Sequence, residues 1–146
     1  MRLNAIVLDI DGVILDNSVI FQKILDYKLV RDEMWDFFHA NCNGKDTVYI
    51  GNALQLLQLI PNTVIFLSTA RNEKCRESTE KRLNEENFIF KKLYMRTDGD
   101  RRPSCEIKKD HLREIMNDYN VVLFIDDDTS NCNMAKELGI TALKKI

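Results

Sequence analysis

The hydrophobic positions along the chain form two kinds of pattern, short apolar runs and longer stretches with helical period. The apolar runs are typical of buried strands, and they lie at residues 3–8, 63–68, 91–96, 121–125 and 140–143. Between them, apolar residues recur every three or four positions, which predicts helices, at 46–60, 105–119 and 129–138, with a thinner stripe in the charged stretch 72–87. Strands that alternate with helices predict an α/β fold with a mostly parallel five-stranded sheet between two helical layers.

Residues 18–45 do not fit this alternation. Two amphipathic patterns follow each other here without a strand, and they predict a small helical insertion within a single domain spanning 1–146. The pattern leaves two placements open, a cap over the edge of the sheet or a hairpin packed on the side of the domain. Trp35, Phe37 and Phe38 lie in this segment, and their spacing favours packing over a base-stacking surface.

Composition narrows the class of protein. The chain has 146 residues, is 45% hydrophobic and 30% charged, and carries a formal net charge of −2, as expected of one globular domain. No apolar run approaches the roughly 20 residues of a membrane span, and Asp9 interrupts residues 1–8 too early for a signal peptide. We therefore expect a cytoplasmic protein with no membrane partner.

The cysteines and the local charge say less about the function of the chain than its overall composition does. The four cysteines are scattered without a CxxC pair, so we expect buried thiols rather than a zinc site or disulfides. Residues 91–109 carry an excess of four positive charges. That segment is either a track for a nucleic-acid backbone or an ordinary charged loop, and the sequence favours neither.

Polar residues follow three of the predicted strands directly. Asp9 and Asp11 follow the first, Ser68, Thr69 and Arg71 follow the second, and residues 126–128, all aspartates, follow the fourth. Ligand crevices of parallel sheets lie beyond the carboxyl ends of the strands, so the acids are expected to converge. Clustered carboxylates repel unless a cation intervenes, and Mg²⁺ prefers such oxygen ligands. The "DDD" triplet alone would be typical of a solvated turn.

Four motifs together resemble the haloacid dehalogenase superfamily of phosphohydrolases. "LDIDGVILD" is similar to its first motif, "VIFLSTAR" to its second and "LFIDDD" to its fourth, and Lys108 lies where the third motif has a lysine. The resemblance implies a Rossmann-like fold and a Mg²⁺-dependent phosphatase. Within that superfamily, the segments "STAR" and "LYMRTDGDRRPSCEIKKDHL" resemble the phosphatase half of bacteriophage-type polynucleotide kinase–phosphatases.

The resemblance implies a role for each matched residue. Asp9 would be the nucleophile that forms an aspartyl-phosphate, and Asp11 would protonate the departing oxygen and then activate water. Asp126 and Asp127 would complete a Mg²⁺ site with Asp9 and Asp11, the last through its backbone carbonyl. Lys108 would offset the charge of the transferring phosphoryl group.

Three further residues are expected to contact substrate. Thr69 would hydrogen-bond a phosphoryl oxygen. Arg71 is the best candidate to bind a substrate phosphate in bidentate fashion, with a salt bridge at a helix start as the alternative. Arg102 is a second candidate for substrate binding.

The chain departs from the family pattern in a few places. Val13 stands where threonine is frequent, Asp128 where arginine is common, and no GxxxxGK[ST] phosphate loop is present, so no kinase activity is expected. The expected substrate is a phosphorylated compound, with a polynucleotide 3′-phosphate favoured. The alternatives are a nucleotidase or small-metabolite phosphatase and, in another class, a non-catalytic binding module. The oligomeric state is not indicated.

Overall fold

The central sheet contains five strands that all run parallel, and it confirms the predicted fold class. The computed structural model describes residues 1–146. Its strands are β1 (Asn4–Leu8), β2 (Leu15–Asp16), β3 (Val48–Tyr49), β4 (Thr63–Asn72), β5 (Lys92–Arg96), β6 (Asn120–Asp126) and β7 (Ala142–Lys144). Its α-helices are α1 (Ser18–Asp26), α2 (Arg31–Asn41), α3 (Arg76–Glu85), α4 (Ser104–Met116) and α5 (Thr129–Glu137). The sheet order is β5-β4-β1-β6-β7, with every pair parallel.

The sheet has a separate apolar core on each face. Alternate residues of β1 point to opposite faces, so Ile6 and Leu8 pack in one core while Ala5 and Val7 pack in the other. The first core includes Leu83 of α3, and the second includes buried residues of α4 and α5. Three layers result, as the alternation of patterns predicts.

One predicted helix is wrong. The helical pattern at 46–60 yields the short strand β3 and a 3-10 helix, Leu54–Leu59. Val48 and Tyr49 are residue types that favour strands, and they pair antiparallel with β2. Gly51 then lies so close to Tyr49 that a Cβ atom would be 2.8 Å from its ring. Tertiary pairing at the start of the segment therefore overrides the helical spacing.

The strand predicted at 63–68 continues to Asn72. Thr69 and Arg71 therefore lie within β4 rather than after it, where the pairing with β5 becomes irregular between Ser68 and Asn72. This extension brings both side chains to the edge of the sheet at which β1 and β6 end.

The predicted insertion contains two helices with a small core of their own. Ile20, Ile24, Phe38 and Cys42 are buried together between α1 and α2. The segment that returns to the sheet is fixed by Arg82 of α3, which donates to the backbone carbonyls of 43, 44 and 47. We call residues 18–45 the helical insertion.

Candidate active site

Three of the predicted site residues meet in a buried ion-pair cluster. Asp9 follows β1, Asp126 ends β6, and Lys108 lies in the second turn of α4. The Lys108 ammonium is 2.8 Å from Asp9 Oδ1 and 2.6 Å from Asp126 Oδ2. All three residues are buried: Lys108 is 2% exposed, Asp9 5% and Asp126 0%. Removing one partner of such a cluster leaves an uncompensated buried charge, which is strongly destabilising.

Burial and neighbouring charge both shift pKa values within this cluster. Burial raises the pKa of Asp9 well above its usual value; Lys108 opposes that shift, and Asp126 and Asp11 reinforce it. Burial alone would lower the pKa of Lys108, but the two carboxylates outweigh it and raise that pKa. One ammonium between two buried carboxylates leaves a negative charge that a further cation would neutralise.

Asp127 adds a third carboxylate to the same point. One ligand atom each from Asp9, Asp126 and Asp127 lie within 4.8 Å of one another. Gly12 makes room for this side chain, since a Cβ there would be 2.1 Å from Asp127 Oδ2, and its backbone has φ +79°. Three converging carboxylate oxygens are the donor set that hard divalent cations bind, so these residues fit Mg²⁺.

Asn131 is a site residue that the sequence did not indicate. It lies in the first turn of α5 and donates to Asp126 Oδ2 at 3.1 Å and to Ser104 Oγ at 3.2 Å. Its Oδ1 is buried without a hydrogen-bond partner. A buried unpaired acceptor beside carboxylates is a position for a cation or its hydration water. A lone asparagine after "DDDTS" gives no sequence signal for this.

Asp11 lies outside the carboxylate triplet and is held by Arg71. The guanidinium Nη2 is 2.7 Å from Asp11 Oδ1, and Nε lies 3.0 Å from Oδ2. Asn17, which the sequence also did not indicate, donates to the same carboxylate. Asp11 is thus oriented from two sides by side chains that are themselves buried.

The remaining donors of Arg71 bind other residues of the protein. Nη1 donates to Asn43 Oδ1 at 2.6 Å and to Thr79 Oγ1 at 3.2 Å, and Nη2 donates to the Cys42 carbonyl at 3.2 Å. All five N–H groups therefore have protein acceptors, and Arg71 is 2% exposed. This geometry favours orientation of Asp11 over the expected grip on a substrate phosphate.

Thr69 and Arg102, which the sequence suggests as substrate contacts, both bond to other groups of the protein. Thr69 is fully buried, and its hydroxyl accepts from the Arg71 backbone N–H at 3.1 Å. Arg102 lies at the rim, where it binds Asp100 and Asp110, each at 2.8 Å. Arg96, in the same basic segment, donates to backbone carbonyls. Much of the positive charge of residues 91–109 is thus engaged within the protein.

Asp9, Asp11 and Asp127 line an open cavity of about 1140 Å³. The helical insertion contributes Phe21, Trp35, Phe38 and His39 to the same lining, together with Arg31, and residues 98–103 also line it. The insertion therefore faces the same cavity as Asp9, which is the placement that a cap requires.

Comparison with known proteins identifies the family. A profile described as the polynucleotide kinase PNKP phosphatase domain matches residues 3–145. The chain therefore belongs to this phosphatase family, within the haloacid dehalogenase superfamily. A search of curated sequences found no significant match. None of the helices has the length and apolar character that crossing a membrane requires.

Solved structures agree with the fold. A chain of the Pnkp1/Rnl/Hen1 RNA repair complex superimposes with a TM-score of 0.75 at 20% identity over 98% of this chain. This chain covers 42% of that one, less than half of its length. The class C acid phosphatase of Bacillus anthracis with tungstate bound gives 0.68 at 18% identity, covering 90% of this chain and 54% of the other. A haloacid dehalogenase family enzyme of Bacteroides thetaiotaomicron, in complex with magnesium and inorganic phosphate, gives 0.57 at 20% identity, covering 99% and 94%.

Proposed function

We propose that this phosphatase hydrolyses the 3′-phosphate of a polynucleotide in a Mg²⁺-dependent reaction through an aspartyl-phosphate. The observation that carries the chemistry is the buried Asp9–Lys108–Asp126 cluster, of which Asp9 and Lys108 line an open cavity. The proposed substrate is supported by the family that the chain belongs to and by the size of the cavity. The location is proposed to be cytoplasmic.

Asp9 is the proposed nucleophile. A carboxylate Oδ attacks phosphorus, so that an Asp9–phosphorus bond forms while the ester P–O bond breaks. Lys108, 2.8 Å from Asp9, stabilises the ionised carboxylate and the charge on the transferring group. A water molecule then attacks the phosphorus of the aspartyl-phosphate, which releases phosphate and restores Asp9.

Asp11 is the proposed proton carrier. It donates a proton to the departing 3′-oxygen, and it later accepts one from the attacking water. Both steps need a fixed carboxylate, and the bidentate contact with Arg71 supplies that orientation. We therefore assign Arg71 a positioning role, with the binding of phosphate by Thr69, Arg71 and Arg102 kept as a prediction.

The proposed cation site consists of the carboxylates of Asp9, Asp126 and Asp127, with the backbone carbonyl of Asp11 as the family resemblance implies. Bound there, Mg²⁺ would offset the charge of the phosphoryl oxygens. The helical insertion is the proposed cap over this site.

The competing substrate class is a free mononucleotide or small phosphorylated metabolite. A panel separates the two: an oligonucleotide with a 3′-phosphate, the same oligonucleotide with a 5′-phosphate, a nucleoside 3′-monophosphate and glycerol phosphate, each with Mg²⁺ or with chelator. We expect the 3′-phosphorylated oligonucleotide to have the highest kcat/KM and chelation to abolish turnover. Turnover of mononucleotides with the oligonucleotide untouched would overturn the proposed substrate, and full activity in chelator would overturn the cation site.

A further inference from the structure

The cavity has several aromatic residues in its lining. Phe21 of α1 and Trp35, Phe38 and His39 of α2 all line it, and we call these four residues the aromatic wall. Phe38 is buried at 3% exposure, whereas Trp35 is 49% exposed and Phe21 43%. Large rings that stay half-exposed inside a cavity offer apolar faces that no part of this chain covers.

The rings of the aromatic wall support one another. Phe21 stacks on Phe38 with centroids 5.4 Å apart, and the edge of Phe38 meets Trp35 at 6.1 Å. His39 lies nearly parallel to Trp35, with an interplanar angle of 28°. The buried Phe38 thus anchors the two exposed rings, and a planar ligand that reaches them meets pre-oriented surfaces.

A single side chain connects the aromatic wall to the proposed chemistry. The Arg71 guanidinium carbon lies 5.8 Å from the centroid of the Phe38 ring, and its Nη2 lies 2.7 Å from Asp11 Oδ1. A ligand with its phosphate at Asp9 and a flat ring at the aromatic wall would contact both surfaces. A nucleotide has that composition, because a sugar separates its phosphate from its base.

Two arginines, Arg31 and Arg101, line the cavity among acidic residues that include Asp32, Asp98 and Asp100. The carboxylate nearest to Arg101 is that of Asp32, at 3.9 Å, and the Arg101 side chain remains 85% exposed. A cation at the mouth, beyond an aromatic surface, suits the backbone phosphate that follows a stacked base. A small phosphorylated metabolite without a base would use neither feature.

We propose that Trp35 and Phe21 form a stacking site for the base of the nucleotide whose phosphate is hydrolysed. The site makes the helical insertion a determinant of substrate class, and it favours nucleic-acid 3′ ends and nucleotides over phosphates that carry no base. This inference rests on the proposed function, since it assigns the rest of the substrate of the same site.

Trp35 is the only tryptophan in the chain, so its fluorescence reports stacking directly. Binding is measured in the Asp9→Asn variant, which prevents turnover, with an oligonucleotide whose 3′-phosphorylated end carries a base and with one whose terminal sugar is abasic. We expect quenching by the first and little or none by the second. Nucleoside 3′-monophosphate serves as a third probe and tests whether one base is sufficient.

Kinetics provide the second arm. Trp35→Ala is expected to raise KM for the base-bearing end by about 10- to 100-fold, with kcat/KM for the abasic end within about twofold of wild type. Trp35→Phe should recover most of the loss. Tyr27→Ala is the matched control, because Tyr27 is an exposed aromatic residue of the same insertion that packs on Phe37 at 5.8 Å and does not line the cavity.

The two arms separate this inference from the function on which it rests. Hydrolysis of both ends with equal quenching, or with equal loss of kcat/KM in Trp35→Ala, overturns the stacking site and leaves the phosphatase assignment intact. Failure of the wild type to hydrolyse any 3′-phosphorylated end overturns the proposed substrate. The fluorescence arm needs no substitution at Trp35, so misfolding of Trp35→Ala would not obscure the outcome.

Discussion

The carboxyl edge of the sheet and the helical insertion line one cavity with different kinds of side chain. At the sheet edge, Asp9, Lys108 and Asp126 are buried and paired at 2.6–2.8 Å. In the helical insertion, Trp35 and Phe21 are half-exposed and contact other rings rather than charges. Buried, hydrogen-bonded charges have one arrangement, whereas exposed rings tolerate a range of ligands. The difference agrees with the proposed division of roles, with bond-breaking at the sheet edge and substrate choice in the helical insertion.

The largest expected effect tests the sheet edge. Asp9→Asn removes the proposed nucleophile but retains its shape, so phosphatase activity should fall roughly 10⁴-fold or more, as for a nucleophile that acts as part of a unit. The measurement is phosphate release at saturating substrate.

Asp128→Asn is the matched control for that variant. Asp128 belongs to the same acidic triplet, but its side chain caps α5 by accepting from the Asn131 backbone N–H at 3.0 Å, a role that asparagine also fills. Activity should therefore stay within a few-fold of wild type. Unchanged activity in Asp9→Asn would refute the aspartyl-phosphate mechanism.

The second prediction concerns the contribution of the sheet edge to the stability of the protein. Lys108→Met removes the ammonium between two buried carboxylates, and the free energy of unfolding should fall by about 3–5 kcal/mol. Urea denaturation in the presence of chelator measures it, since a bound cation would oppose the loss.

Lys109→Met controls for the loss of a lysine from α4. Its side chain is only partly buried and makes no ion pair within 4.0 Å, so the expected change is within about 0.5 kcal/mol. Equal effects in the two variants would mean that the buried cluster contributes no special stability.

The sequence predicted the sheet edge because elementary geometry joins its parts. Residues that follow parallel strands meet at one edge, so Asp9 and Asp126 were identifiable as the first acids after two apolar runs. The motif resemblance added Lys108. Asn17 and Asn131 were missed because their roles depend on a neighbouring carboxylate and a buried unpaired oxygen, and neither leaves a pattern along the chain.

The helical insertion was predicted as two helices, but its contacts were not. Arg71 binds Asn43 and the Cys42 carbonyl, which reach it only after the insertion folds back over the sheet. The spacing of Trp35, Phe37 and Phe38 indicates packing, and packing is what Phe38 does; the cavity-facing exposure of Trp35 depends on how α2 is tilted. The spacing of apolar residues identifies the apolar face of a helix, but it does not specify which other residues or cavities that face contacts in the folded protein.

Arg71 binds both Asp11 at the sheet edge and Asn43 of the helical insertion, so its substitution tests how the two regions depend on each other. Lysine cannot reproduce the bidentate contact with Asp11, so in Arg71→Lys we expect kcat to fall about 10²-fold through misplacement of Asp11. KM should change little, because every donor of Arg71 has a protein acceptor.

The alternative role of Arg71 predicts a different result. If Arg71 binds a substrate phosphate, as its position after the second motif suggested, KM should rise more than kcat falls.

The smallest effect compares the two histidines of the chain, one in each region. His111 is buried at the sheet, where its Nε2–H donates to the Met95 carbonyl at 3.2 Å and its Nδ1 accepts from Ser68 at 2.8 Å. Burial lowers the pKa of His111 to about 4. In the unfolded chain this histidine takes up its proton near a pH of about 6.5, so its contribution to stability is present above that pH and is lost as pH falls towards 4. Between about pH 7 and pH 5 that loss is about 2 kcal/mol.

His111→Gln isolates this contribution, because glutamine retains a donor and an acceptor without a titrating group. The fall in unfolding free energy from about pH 7 to pH 5, measured by urea denaturation, should be smaller in the variant than in wild type by about 2 kcal/mol. His39→Gln is the matched control: burial also lowers the pKa of His39, but this ring is only half-buried against Trp35 and should alter the pH dependence less. If the pH dependence of the unfolding free energy changed more in His39→Gln than in His111→Gln, the expected difference between the buried sheet edge and the more exposed helical insertion would be wrong.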